Sequence, residues 1–557
     1  MYVADFETTT DVNDCRVWAW GLVEIGNLNS FEYGNSIESF FDRMEQLAKK
    51  NETVYFHNLA FDGEFILAFA LGHGFTHVTK KKEISDKTMM TLISDKGVFY
   101  AIDLIFKKLK TRQHNITFRD SLKVIPMKVE QAAKAYGLEM RKLHIDYDEY
   151  RPVGHELTPD EIEYVKCDVL IVAQVLEMQF SEGMTRMTTA SNALHDYKNI
   201  IGKRNFERWF PVPDYDSDVR QSYKGGFTYA NPVFTNQDIG EGIVLDINSL
   251  YPSTMYYRPM PYGNPIFYNG KYVPDRLYDL YVQIISCNFD LKPDHIPTIQ
   301  IKNSPVFVPT EYLTSSNGED VTLCLTSVDL ELFFQQYDVY NLEYVCGWKF
   351  KSSTILFKDY IDKWYKIKEK ATIDHNPGLR AISKLYLNSL YGRFSLNPVC
   401  QSKIPYLNED GHISYYLGEK EERKPLYIPV GTFITSWARY QTITAAQSLY
   451  DRFLYSDTDS IHLIGTDLPT NLDIHDTRLG AWAHESTFER AKFIRAKTYV
   501  EQINGVLHVT CAGLPEYMHD QVTFDNFAPM VEYYGKLKPT HVPGGIVLTS
   551  SPFTLRG

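Results

Sequence analysis

Cysteine is scarce in this chain: seven residues in 557, at positions 15, 167, 287, 324, 346, 400 and 511, with no Cys-x-x-Cys among them. An odd count without paired spacing supports neither a disulfide framework nor a structural zinc site, and it fits a reducing compartment. No apolar run approaches the roughly 20 residues a membrane helix needs, and the N-terminus lacks a signal-peptide layout, so no membrane partner is expected. Internal repeats and low-complexity tracts are missing too. Positive charge is short: 57 Lys and Arg against 70 Asp and Glu leave a net −13. Over the whole chain that balance argues against nucleic acid. Two considerations weaken it. Carboxylates that hold metal ions inflate the acidic count, and a groove needs only local positive charge. Local clusters stand at 80–82, 107–112, 349–351 and 536–538, although each also reads as a solvated surface run.

Aromatic residues are plentiful, with 39 Tyr and 32 Phe. They suit base stacking, but a tyrosine-rich core gives the same count. The length exceeds one simple core, so several domains are expected. Residues 1–186 alternate short apolar strands with helical stretches, an α/β pattern. One helix start is sharply marked: Thr158 as N-cap, Pro159 at the first helical position and Glu161 completing a capping box. Tyr164 and Asp168 then share a face at i and i+4. A second region opens near 187, with a strand at 242–247, a strand-rich stretch over 258–355 and a helix over 357–370. Pro377 and Gly378 read as breakers before a helix over 381–391. A polar insertion at 396–427 follows, then a helix near 436–450, a strand around Asp457 and a small C-terminal piece from 512.

Two acidic signatures lie far apart, Asp5-Phe6-Glu7 and Asp457-Thr458-Asp459. In a strand, i and i+2 side chains share a face. Two carboxylates so placed repel unless a cation stands between them. Downstream of the first lie Tyr55-Phe56-His57-Asn58-Leu59-Ala60-Phe61-Asp62 and Tyr164-x-x-x-Asp168. Asp5, Glu7, Asp62 and Asp168 thus form a candidate set for two Mg²⁺ or Mn²⁺ ions in strand hydrolysis, with Tyr164 orienting the water. The second signature is joined by Asp246-Ile247-Asn248-Ser249-Leu250-Tyr251-Pro252 and by Lys384-x-x-x-Asn388-Ser389-Leu390-Tyr391-Gly392. This constellation resembles that of family B DNA polymerases, which implies Asp246 and Asp459 as first-choice cation ligands, Asp457 as an outer or transient one, and help from the Ile247 carbonyl. Lys384 and Lys368 offer point charges to leaving phosphates.

The first three segments resemble the 3′–5′ exonuclease domain of proofreading DNA polymerases, which is RNase H-like. The second three resemble motifs A, C and B of family B DNA polymerases. The resemblance implies that Thr8, His57, Asn58 and Phe61 handle a single-stranded primer end. It implies that Ser121-Leu122 belongs to a further strand-binding motif of the protein-primed branch, and that Lys142 assists catalysis. His144 departs from the acidic residue expected there. Tyr251 would lie beneath the incoming sugar and exclude a 2′ hydroxyl; Tyr391 would stack near the nascent base pair. Ser249, and Lys497 and Tyr499 of a K-x-Y motif, would contact the primer–template. Motifs A and B stand 138 positions apart (384 − 246), leaving room for an inserted domain. Tyr223-Lys224-Gly225-Gly226 resembles the Y-x-G-G element of the protein-primed branch, and adjacent glycines admit close backbone approach.

End to end the chain is similar to the protein-primed family B polymerases of phi-29-type tailed phages. That implies an α/β multidomain fold: exonuclease domain 1–186, a right-hand polymerase with palm 187–257 and 428–511, fingers 356–395 and thumb 512–557, and insertions at 258–355 and 396–427. It implies primer–template DNA, dNTPs and a terminal protein as partners, two Mg²⁺ or Mn²⁺ ions per active site, a further single-stranded-DNA-binding protein, a monomeric chain and action in the cytoplasm of an infected bacterium. The loop near 372–378 looks longer than that family's, and the link from Tyr499 to Cys511 shorter. Two alternatives stay open, a polymerase primed by DNA or RNA and a nucleic-acid-binding scaffold with decayed sites.

Overall fold

The computed structural model describes residues 1–147, 149–300 and 310–557. The first half holds an eight-stranded mixed sheet whose strands, counted along the chain, lie in the order 3-2-1-4-8-7-6-5. Its inner strand Tyr2–Thr8 pairs antiparallel with Val17–Glu24 and parallel with Thr53–Phe56. Helix Pro159–Ser181 packs across these strands and carries the capping box the sequence announces: Thr158 accepts from the Glu161 N–H, and Glu161 accepts from the Thr158 N–H. Gly21 explains how close this helix comes. It lies opposite Asp5 in the strand pair, and a Cβ there would meet Val165 Cγ1 at 2.6 Å. The missing side chain lets the helix press its carboxylate face against the strand that bears Asp5 and Glu7.

The second half is centred on a five-stranded sheet ordered Trp482–Phe488, Gly242–Ile247, Ser460–Ile464, Phe453–Asp457, Thr228–Ala230. All its pairings are antiparallel. It has an apolar cluster of its own around Leu245, Phe453 and Leu463, separate from the cluster around Phe40, Phe56 and Phe118 in the first half. The stretch after Tyr257 forms a four-stranded sheet with helix Ser327–Gln336; residues 301–309 of the expected first insertion lie outside the described residues. The stretch expected as a second insertion, 396–427, contains a hairpin of Val399–Leu407 and Ile413–Glu422. The C-terminal part combines a three-stranded sheet, 490–511, with the hairpin Glu532–Val542 and Gly545–Thr554. Asn504-Gly505 forms the two-residue turn between strands Thr498–Ile503 and Val506–Cys511, both at positive φ, which right-handed strand twist favours. That tight hairpin accounts for the short link after Tyr499.

Two boundaries differ from the sequence reading. Pro377 and Gly378 do not precede their helix; they open it, and the helix runs Pro377–Phe394. Asn376 caps it by accepting from the Leu379 N–H, and proline suits the first turn because its missing N–H has no partner there anyway. The helix expected near 436 begins at Ile428, also with proline in its first turn. Its buried face is full of small polar residues, Thr432, Thr435, Ser436 and Thr442, which dilute the apolar period. All seven cysteines are free, and no helix among the described residues is long and apolar enough to cross a membrane.

Candidate active sites

Four carboxylates converge in the first half. Asp5 and Glu7 point from one face of their strand, Asp62 comes from the first turn of helix Leu59–Gly72, and Asp168 from the capped helix. Glu7, Asp62 and Asp168 are each 5% exposed or less. Burial first, and then the Asp168 charge, pushes Asp5 up to about 7. Burial and the neighbouring carboxylates hold Glu7 and Asp62 well above the usual carboxylate range. The Lys142 ammonium donates to Asp168 Oδ2 at 2.5 Å, yet burial outweighs it and Asp168 also stays raised. Asp168 Oδ1 is buried with no hydrogen-bond partner. Crowded oxygen donors, raised proton affinity and an orphaned acceptor all suit a hard divalent cation. Among the described residues no three such side chains stand close enough to hold an ion as they are placed. Tyr164 is buried against Glu7's side of the nest, and its hydroxyl meets that of Tyr147. A cavity of about 380 Å³ opens on Asp5 and Asp168 and is also lined by His57, Lys128, Lys142 and His144.

Two turns meet beside this cavity. Asn58 adopts φ 75°, a left-handed conformation asparagine tolerates, and its exposed side chain makes no cap hydrogen bond. Asp120 Oδ1 accepts from both the Asn58 N–H (3.1 Å) and the Leu122 N–H (3.0 Å), pinning the two turns together. Phe61 is half-buried against Phe65, and Thr8 and Leu122 are also half-buried. Ser121, expected in a strand-binding motif, begins the short helical turn 121–123. It is fully buried, its hydroxyl donating to the Phe56 carbonyl and lying 3.0 Å from His57 Nδ1. Its hydroxyl helps to orient His57. Burial lowers the His57 pKa, favouring the neutral ring held between Ser121 and the Met127 carbonyl.

In the five-stranded sheet, Asp457 and Ser460 pair across a two-residue turn, and Asp246 lies opposite Ser460 on the next strand. Topology therefore brings Asp246, Asp457 and Asp459 together from positions more than 200 residues apart. The turn is strained: Thr458, β-branched, sits at φ 65°. It is held by its N–H donating to the Phe227 carbonyl and by Thr442 Oγ1 donating to its carbonyl. Burial and the Asp459 charge push Asp246 up to about 7, and Asp459 is raised as well. Asp457 is already served by Thr228 Oγ1 at 3.0 Å and by Lys497 Nζ at 2.7 Å. This separates Asp457 from the other two, which have no ion-pair partner among the described residues. The Ile247 N–H donates to the Asp459 carbonyl at 2.8 Å, locking the two acidic segments together.

Lys497 sits at φ 54° with its N–H donating to Tyr455 Oη. Its ammonium rests on Asp457. Tyr499 packs into the rings of Tyr455, His462 and Phe493. Lys384, Asn388 and Tyr391 follow one another along a face of helix Pro377–Phe394, and Lys384 faces Asp246 and Asp459 electrostatically. Lys368 on the preceding helix has its pKa lowered by burial and by Arg380 and Lys384. The rings of Tyr251 and Tyr391 stack at 4.1 Å. Ser249 initiates helix Leu250–Tyr257 at φ 56°, placing Tyr251 there. A Cβ at Gly226 would meet Thr458 and the Tyr251 hydroxyl at 3.0 Å or less, so glycine lets the Tyr223–Gly226 loop lie directly on both acidic turn and tyrosine.

Sequence reading missed three residues of this site. Glu485, on the strand beside Asp246, raises both Asp246 and Asp459; only strand pairing reveals it. Arg380 is one helical turn before Lys384, a spacing that was visible. Arg439 donates to the Lys224 and Gly225 carbonyls and pairs with Asp329 in the first insertion; nothing local in sequence joins those three places.

A family model described as "DNA polymerase type B, organellar and viral" matches residues 44–153 and 144–476. The DNA polymerase of Bacillus phage Nf is 46% identical over 579 residues, covering 100% of this chain and 99% of that protein. Phi29 DNA polymerase in an orthorhombic crystal form superimposes with a TM-score of 0.95 at 44% identity over the whole of both chains. The phi29 enzyme complexed with primer-template DNA and incoming nucleotide substrates gives 0.93 over the same extent.

Proposed function

This chain belongs to the organellar and viral type B DNA polymerases and is a DNA polymerase, and we propose on that premise that it copies a linear phage genome from a terminal-protein primer and trims its own 3′ ends. Divalent-cation dependence accompanies the family. Under this reading Mg²⁺ or Mn²⁺ pairs held by Asp246, Asp459 and the Ile247 carbonyl, and by Asp5, Glu7, Asp62 and Asp168, would activate the attacking oxygen and steady the departing one in each site. Lys368, Arg380 and Lys384 bind the nucleotide phosphates. The Tyr251 ring fills the space a 2′ hydroxyl would need, and Tyr391 supports it by stacking. Asp457, neutralised by Lys497, keeps the turn in register. In the other site Asn58, Phe61 and Leu122 receive an unpaired strand end, His57 stays neutral between its two partners, and Lys142 offsets the charge on Asp168.

The phi29 polymerase complexed with primer-template DNA and incoming nucleotide substrates supports primer–template DNA and dNTPs as partners. Accessory roles go to the insertions: the sheet at 258–355 grips terminal protein and duplex, and the hairpin at 396–427 helps encircle DNA for long, strand-displacing synthesis. A single-stranded-DNA-binding protein, a monomeric state and a host-cytoplasm setting belong to the same reading. The observation that carries protein priming is the Asp329–Arg439–Lys224/Gly225 bridge, which ties helix Ser327–Gln336 of the inserted region to the loop lying on the polymerising turn. Incubation with the cognate terminal protein and labelled dATP under Mg²⁺ or Mn²⁺ should transfer label to the protein. No transfer, with normal extension of a DNA primer, would favour the nucleic-acid-primed alternative.

A further inference from the structure

Glu64 is a buried carboxylate that neither active site uses. It lies on helix Leu59–Gly72 in the first half, with its side chain 7% exposed. Two hydrogen-bonding groups from remote parts of the chain converge on its Oε1. Tyr415 Oη, from the second-insertion hairpin, donates at 2.8 Å. His541 Nε2, from the C-terminal hairpin, lies 3.3 Å away. The Tyr415 and His541 rings are themselves 6.2 Å apart. One oxygen thus joins segments roughly 350 and 480 positions downstream of it, counted from 64 to 415 and 541.

The surrounding packing has the same purpose. The turn of the C-terminal hairpin is inserted against the first half by two glycines. A Cβ at Gly544 would strike the Cys15 carbonyl at 2.5 Å, and one at Gly545 the Phe65 ring at 2.6 Å. Ile546 and Ile413, one from each hairpin, are buried within the apolar cluster of the eight-stranded sheet. Ser94 and Ser402 form an isolated bridge at the sheet's far edge. Apolar contact alone is non-directional. The Glu64 carboxylate supplies direction and register, and as a charged acceptor it makes the stronger kind of hydrogen bond.

We infer that Glu64 is a positioning residue that fastens both hairpins to the first half of the molecule and thereby sets how much DNA is made per binding event. The inference rests on the encircling role proposed for the second insertion. A closed path acts as a tether, raising the effective concentration of the primer end at the site without touching the chemistry.

The test uses the full-length protein and a series: Tyr415→Phe removes one donor, Glu64→Gln keeps an acceptor without charge, and Glu64→Ala removes both contacts. Two quantities are read. Product length on a primed single-stranded circle, with a trap present so that each molecule binds once, should fall by about tenfold in Glu64→Ala and less in the other two. The rate of adding the first nucleotide should stay unchanged, which general unfolding would not allow. Amide exchange in 399–422 and 532–554 should quicken in the same order. Unchanged exchange in Glu64→Ala would overturn the fastening. Faster exchange with full-length products would overturn its effect on synthesis. Short products from the unaltered protein would instead sink the encircling role itself, whatever Glu64 does.

Discussion

Asp246→Ala is expected to slow nucleotide addition by about a thousandfold, some 4 kcal/mol of transition-state stabilisation, while 3′-end degradation stays within about twofold. Asp459→Ala should match it. Asp246 stands in the sheet and Asp459 in the turn beside it, both with raised proton affinity, no ion-pair partner among the described residues, and each other and Glu485 as like-charged neighbours. Removing either leaves the other without the partner needed to hold a cation. Asp457→Asn should cost less, because Asp457 is already held by Thr228 and Lys497, and asparagine retains an acceptor for both. Single-turnover extension of a DNA primer measures all three. Equal losses for Asp457 and Asp459 would contradict the division of roles between them.

The reciprocal expectation concerns the first nest. Asp5→Ala combined with Glu7→Ala should cut 3′-end degradation of a single strand by about a thousandfold and leave extension unaffected. The two nests share no side chain: one is built on strand Tyr2–Thr8 and helices Leu59–Gly72 and Pro159–Ser181, the other on the turn at Thr458 and strand Gly242–Ile247. Lys142→Ala should be milder, since the ammonium offsets charge on Asp168 and is no part of the carboxylate set. Release of nucleotides from a labelled single strand is the measurement, and undiminished release from the double variant would refute the assignment.

Much of this was legible in the sequence because it depended on short-range signals. Thr158, Pro159 and Glu161 announce their helix within four residues, and alternation puts Asp5 and Glu7 on one face before any fold is known. Asp62 and Asp168 joined them as acidic residues of two further short segments, and the resemblance to a known family then gave the set its expected role. Misreadings fell where one residue type serves two purposes. Proline at 377 both stops and starts helices, and the capping asparagine at 376 decides between them. The local partners of Ser121 and Lys497 were not legible either: the one is buried against His57, and a left-handed backbone aims the other at Asp457. Glu485, Arg439 and Glu64 act only through pairings between distant segments, which no local pattern encodes.

Manganese soaked into crystals of the protein, once with primer–template and incoming nucleotide and once with a single strand, gives the most direct reading of where cations bind. Anomalous density beside Asp246 and Asp459 in the first case, and among Asp5, Glu7, Asp62 and Asp168 in the second, is the expected result. Density at neither nest, or one shared position serving both reactions, would contradict two separate carboxylate sites on this chain.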